Sequence, residues 1–252
     1  MLISERDLRL LFFLNRDLSE GQVRNMLVAL HTDHDDVGLR GSEEDVIASI
    51  FRNSSEPGFL LWKNKVRTWF DKEGDILIFL HNEERTGSPW TLNGRRQVSM
   101  SIADGDRYFE DNHDLARSFI PILCTICEHL SPFLVIGAHS LSFLSIRSDS
   151  PRPLEAIDTF VESFRDRLPT WLILVLDSAL YSALPAEAVA EWAMVDVPCG
   201  RDGHLISYSS VPFYDIGELS REQAARARIV FDEQILPHIE QRMINEYSDR
   251  PV

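Results

Sequence analysis

The stretch Val66–His81, VRTWFDKEGDILIFLH, decides how the fold is read. Two segments of strand length flank Asp71-Lys72-Glu73-Gly74-Asp75, a polar tract whose glycine can take the positive φ of a tight turn. That pattern predicts an antiparallel hairpin. Working outward, Gln97–Ala103 alternates Val98, Met100 and Ile102 with polar residues, the period-two signature of a strand with one buried and one wet face. Upstream, Leu8–Leu14 is an apolar run that reads as a buried strand, although periodicity alone leaves a helix open at that length. Downstream, Phe133–Ile136 and Ser142–Ile146 read as a hairpin pair, and Trp171–Leu176, between Pro169 and Asp177, as a central strand. Ala193–Val197 and His204–Tyr208 read as strands around the turn Pro198–Gly203.

Helix signals interleave with these strands. Ser19 followed three positions later by Gln22 is a capping-box pattern, so a helix should run from there to about His31. Ser42 with Asp45 is a weaker form of the same signal before Val46, Ile47, Ile50 and Phe51. Asn112-His113-Asp114 opens a long helix to about Leu130, and Pro132 marks its exit. The last helix begins around Glu218-Leu219-Ser220 and passes Phe231, with Pro237 expected to kink or end it. With no internal repeat or low-complexity tract, the expectation is one α+β domain over residues 1–252. It should contain a mainly antiparallel twisted sheet, helices packed against it and a long C-terminal helix.

Composition narrows the functional classes. The chain has 252 residues, is 44% hydrophobic and carries a net charge of −15. Such a chain can bury a full core. Its excess of carboxylates repels a phosphate backbone and argues against direct nucleic-acid binding, while favouring steered association with a cationic protein surface. Lysine occurs only at Lys63, Lys65 and Lys72; the other basic residues are arginine. No apolar stretch reaches membrane-spanning length. The N-terminal MLISERDLRLLFFLNRDL lacks the basic start of a signal peptide, so the expected location is the cytoplasm. Three cysteines, Cys124, Cys127 and Cys199, are too few and odd in number for a disulfide framework.

Each constellation that could carry chemistry has a plainer reading. His31-Thr32-Asp33-His34-Asp35-Asp36 is the densest set of potential metal ligands, but its spacing matches no metal motif, and an acidic helix end followed by a loop explains it. Cys124-Thr125-Ile126-Cys127 has redox-pair spacing, yet falls late in an apolar helix, where both thiols share one face and pack inward. Gly137-Ala138-His139-Ser140-Leu141 lacks the serine between two glycines that a nucleophile elbow needs, and reads as a hairpin turn. Acidic pairs are abundant, so no single pair is informative. Collectively they predict a negative partner-binding surface from Asp33, Asp35, Asp36, Glu43, Glu44, Asp45, Glu83, Glu84, Asp104, Asp106, Glu110 and Asp111.

Several short sequences carry a family resemblance. They are Asn15-Arg16-Asp17, Gly58-Phe59-Leu60-Leu61-Trp62, Ser88-Pro89-Trp90 with Asn93, Trp171, Gly200-Arg201-Asp202-Gly203 and Val211-Pro212-Phe213. In their order, from about Leu8 to Leu236, the chain resembles an immunity-protein family of bacterial polymorphic toxin and type VI secretion systems, usually found beside restriction-endonuclease-fold nuclease toxins. The resemblance implies a non-enzymatic protein that neutralises a cognate nuclease toxin by binding it, without metal or cofactor. Two other classes remain open from the residues: a metal-assisted hydrolase using His31–Asp36, and a secretion adaptor or chaperone that binds without inhibiting.

Overall fold

The computed structural model describes residues 8–14, 16–51, 58–67, 73–82, 97–102, 109, 113–139, 173–209 and 217–248. In chain order the elements are β1 (Leu8–Leu14), α1 (Glu20–Asp33), β2 (Val37–Arg40), α2 (Glu43–Phe51), β3 (Phe59–Arg67), β4 (Glu73–Asn82) and β5 (Gln97–Ile102). Then come α3 (His113–Leu130), β6 (Pro132–His139), β7 (Ile173–Leu176), α4 (Ser178–Ser182), α5 (Ala186–Trp192), β8 (Val195–Cys199) and β9 (Gly203–Ser207). The described chain ends with α6 (Gly217–Val230), a π-helical turn (Phe231–Ile235) and α7 (Leu236–Ser248).

All nine strands of the described residues join one sheet in the order β2-β3-β4-β5-β1-β6-β7-β9-β8, and every neighbouring pair is antiparallel. The architecture is the expected α+β sheet with helices. β1 is its middle strand, flanked by β5 and β6, and all seven of its residues are buried. That placement explains why six of its seven residues are apolar, Arg9 being the exception: a strand covered on both faces has no wet side to alternate toward.

Register separates the two faces. Leu10 sits beside Met100 and Gly137, and Trp62 beside Ile76 and Val37, all on one face. α3 covers that face, with the Phe119 ring 5.4 Å from Trp62. On the opposite face, near the β9 end, the Tyr181 ring of α4 stacks on His204 at 3.8 Å. The helix starts follow their sequence signals. Gln22 N–H donates to Ser19 Oγ at 3.2 Å while Gln22 Oε1 accepts from Ser19 N–H at 3.1 Å. Asp45 N–H donates to Ser42 Oγ at 3.2 Å, and Asp45 Oδ2 accepts from Ser42 N–H at 2.7 Å. Each box satisfies helix-end N–H groups that have no intrahelical partner.

Several boundaries differ from the sequence reading. Glu73, Gly74 and Asp75 belong to β4, with Gly74 opposite Val66 and Glu73 opposite Arg67, so the turn expected at Asp71–Asp75 begins earlier. Residues 68–72 lie outside the described residues. Backbone pairing is indifferent to side-chain polarity at a strand end, so the polar tract did not mark the ladder's limit. Phe133–Ile136 does not use Ser142–Ile146 as its partner: β1 and β7 occupy both its edges, and 142–146 lies outside the described residues. Gly137 and His139 continue β6 instead of turning, and a Cβ on Gly137 would lie 2.3 Å from Ile173 Cγ2, so glycine serves close strand packing there. Ser140 and Leu141 are outside the described residues.

Pro237 does not end the last helix. Proline lacks an N–H and crowds the carbonyl four residues back. The π-helical turn just before it, in which Leu236 N–H reaches Phe231 O, shifts the hydrogen-bond register and lets the helix continue to Ser248. A second proline, Pro121, sits inside α3 on its exposed side, where a carbonyl deprived of its donor can meet water. No helix of the described residues is long and apolar enough to cross a membrane.

Candidate functional site

α1 ends where the densest set of polar residues begins, and the structure gives most of that tract a local task. His34 follows the last turn of α1, its N–H donating to Leu30 O at 3.1 Å, and its Nε2 lies 2.9 Å from Thr125 Oγ1 on α3. Asp36 accepts from the indole Nε1 of the fully buried Trp62 at 2.6 Å. A buried indole N–H without an acceptor is costly, so this carboxylate completes the core beneath β2. Asp33 and Asp35 remain exposed. Among the described residues no group of three or more His, Cys, Asp or Glu side chains is arranged to hold a metal ion.

The other acidic triplet starts α2 and sits close by. Arg24 of α1 donates to Glu43 Oε1 at 2.7 Å and to Glu44 Oε1 at 2.5 Å. Its hydrogen bonds to Glu44 and then to Glu43 hold the Arg24 guanidinium above its ordinary range. Asp45 caps its own helix, and its bonds with the Ser42 backbone and hydroxyl hold its carboxyl below the usual carboxylate range. Of the twelve acidic residues expected on a partner surface, Asp33, Asp35, Asp36, Glu43, Glu44 and Asp45 therefore gather around β2. Glu83, Glu84, Asp104, Asp106, Glu110 and Asp111 lie outside the described residues.

Between α1 and β2 lies an apolar groove of about 330 Å³, lined chiefly by Leu27, Leu30, Val37, Leu39 and Leu60, with His31 and Lys63 among its polar lining residues. Leu39 is 39% exposed and Val28, on α1, is 61% exposed. Neither was marked by the sequence: VGLR is too short to show alternation, and Val28 fits a helix pattern as well as any apolar residue.

A second cavity, about 190 Å³, opens at the β8–β9 turn and is lined by Cys127, Asp177, Cys199, Arg201 and Asp202 among others. Cys199 on β8 meets both thiols of the α3 pair, which sequence spacing did not reveal. Its bond with Cys199, and then burial, push the Cys124 thiol far above its ordinary range. Cys199 is also raised: its bond with Cys124 opposes the rise, but the bond with Cys127 and burial outweigh it. Thiols held protonated in this way are poor nucleophiles. Asp177 ties the neighbourhood together, capping α4 through Leu180 N–H at 2.9 Å and accepting from Arg242 Nη1 at 3.0 Å. The Arg242 guanidinium lies 4.3 Å from the Phe133 ring centroid.

On the opposite face, Asp196 accepts from Tyr181 Oη at 2.5 Å and lies 2.9 Å from His204 Nδ1. Bonding to Asp196, then burial, pushes the Tyr181 phenol up to about 12. The imidazole is oriented as a general base would be, but it lines neither cavity, so the trio fastens α4 to β8 and β9.

Fold and site together define an α+β protein whose described residues form a nine-stranded antiparallel sheet ending beside an apolar groove. In comparison with known proteins, no family model matches the chain, and no curated protein matches its sequence. Of the segments that carry the family resemblance, Arg16-Asp17, Gly58–Trp62 and Gly200–Gly203 are described; Phe59–Trp62 belong to β3, and Gly200–Gly203 form the turn from β8 into β9. Ser88-Pro89-Trp90, Asn93, Trp171 and Val211–Phe213 lie outside the described residues.

Proposed function

We propose that this chain is an immunity protein that binds a cognate nuclease toxin and neutralises it by protein–protein contact in the cytoplasm of the bacterium that makes both. The observation that carries the reading is the surface at α1, β2 and α2. Exposed Asp33 and Asp35 precede β2 and exposed Glu44 follows it, while β2 contributes Val37 and the exposed Leu39 to an apolar groove. An apolar centre with a charged border is the anatomy of a binding surface, and its sign suits the cationic groove with which a nuclease holds phosphates. In this mechanism Asp and Glu pair with the toxin's Arg and Lys and exclude its substrate. The hydrolase alternative draws no support from His34 and Asp36, whose side chains hold α3 and Trp62.

Co-expression with the product of the neighbouring gene tests the proposal, scoring both co-purification and rescue of growth. A harmless neighbour that does not co-purify overturns it. The charge mechanism has its own readout in the association rate. Raising ionic strength from about 0.01 M to about 0.15 M shortens the screening length from ~30 to ~8 Å, so the rate should fall steeply. A rate indifferent to salt would move the contact to the apolar residues alone.

A further inference from the structure

The sheet's two ends are built differently. β8, at one end, contains Pro198, which has no N–H to donate, and exposed Asp196; both discourage an added strand. β2, at the other end, has no proline and is followed by Gly41. Its register on β3 makes Asp36 and Lys63 a hydrogen-bonded pair, with Lys63 N–H donating to Asp36 O at 2.6 Å. Antiparallel pairing alternates, so the backbone groups of Val37 and Leu39 point away from β3. Val37 N–H is occupied, donating to His34 O at 3.0 Å. The Val37 carbonyl and both backbone groups of Leu39 have no partner among the described residues. These same two residues line the apolar groove. Unpaired backbone and unfilled apolar space therefore coincide at Val37 and Leu39.

We infer that β2 is a docking edge for an extended cationic segment of the toxin, which adds as a strand outside β2. Alternate apolar side chains of that segment enter the groove, and the Lys or Arg residues between them reach the carboxylates beyond both ends of β2. Strand addition of this kind draws affinity from main-chain hydrogen bonds and selectivity from pockets for every second side chain. The cationic character follows from the border: Asp33 and Asp35 are exposed before β2 and Glu44 after it, while Arg24 is already held by Glu43 and Glu44. The inference rests on the immunity reading for the identity of its occupant, though not for the existence of the edge.

The test uses the full chain and two synthetic heptapeptides, one alternating Lys with Val and one alternating Glu with Val. With the Lys–Val peptide at ten times its dissociation constant, exchange of the Leu39 amide hydrogen should slow about tenfold. The Glu–Val peptide should have little effect. Leu39→Pro removes the outward N–H without breaking a β3 bond, and the affinity of the Lys–Val peptide for that variant should fall at least tenfold. Leu39→Lys keeps the N–H, places a like charge against the peptide and covers the case in which the proline variant fails to fold. Equal protection by both peptides, or protection mapping to β8, overturns the inference. So does protection of Leu39 that rises with protein concentration alone, which would assign the edge to a second copy of this chain. Once a toxin co-purifies, its affinity should fall at least tenfold with Leu39→Pro and Leu39→Lys. Unchanged affinity in both refutes the edge while leaving the immunity reading standing, whereas wild-type protein that binds no toxin refutes that reading itself.

Discussion

Adding one methyl group should have opposite effects at two glycines. A Cβ on Gly58 would lie 2.2 Å from Val46 N, 2.5 Å from Asp45 C and 2.6 Å from Val46 Cα. These are backbone atoms, so no rotamer change relieves the clash, and α2 must retreat from β3 by about 1 Å to reach ordinary contact. Val46, Ile47 and Ile50 of α2 are buried, at 1%, 0% and 2% exposure. Each side chain contributes about 1.5–3 kcal/mol on burial, or roughly 5–9 kcal/mol for the three. A gap near 1 Å forfeits about a quarter to a half of the contact well, which gives a loss of about 1–4 kcal/mol. Weakening the bond from Gly58 N–H to Ser49 Oγ, 3.2 Å long, adds about 1 kcal/mol. Gly58→Ala should therefore destabilise by about 2–5 kcal/mol. At Gly21, an exposed position in the first turn of α1, the nearest atom to a new Cβ is Ser19 Oγ at 4.0 Å. Gly21→Ala should stabilise by about 0.5–1 kcal/mol, because the unfolded chain loses freedom and the fold accepts the methyl. Urea unfolding of both variants beside wild type measures the pair. A Gly58→Ala midpoint within about 0.5 kcal/mol of wild type, at unchanged slope, would refute the packing of α2 against the start of β3.

Other consequences are simpler to state. Trp62→Phe removes the donor to Asp36 and part of the buried ring, and should cost about 2–3 kcal/mol in urea; a neutral result would show that the Asp36 bond contributes nothing. Tyr181 has its folded pKa raised to about 12, so its bond to Asp196 stabilises fully below the unfolded value near 10 and is lost as pH rises through 12. The stability difference between wild type and Tyr181→Phe should hold constant up to about pH 10 and then vanish, and ultraviolet titration should show a late tyrosine that Tyr181→Phe removes. Native protein should react with a disulfide reagent far more slowly at pH 7 than glutathione does, then release three equivalents on unfolding. A fast native equivalent would contradict the raised Cys124 and Cys199 thiols.

Local signals carried well into the structure. Ser19 with Gln22 and Ser42 with Asp45 start helices where expected, because a capping box is satisfied within four residues and needs nothing distant. Strands with a full apolar or alternating run were also legible, including β1, β5, β7 and β9. β2 was not, since four residues, Val37-Gly38-Leu39-Arg40, are extended only through their pairing with β3. The short helices α4 and α5 went unread for a similar reason: α4 depends on Asp177, whose carboxylate caps it while holding Arg242. At the candidate site the carboxylates were legible as residues, but their division of labour was not. Asp36 looks like Asp35 in the sequence, yet one holds a buried indole and the other faces water.

By itself, the sequence determined the net charge of −15, the α+β class, the main helix starts and the presence of several strands with an apolar or alternating run. These follow from composition, periodicity and hydrogen bonds closed over a few residues. Only the tertiary structure decided that β1 lies in the middle of the sheet, that Cys199 joins Cys124 and Cys127, and that β2 ends the sheet beside an apolar groove. Strand order and edges depend on pairings between distant residues, whose loop-closure entropy and burial no local pattern records.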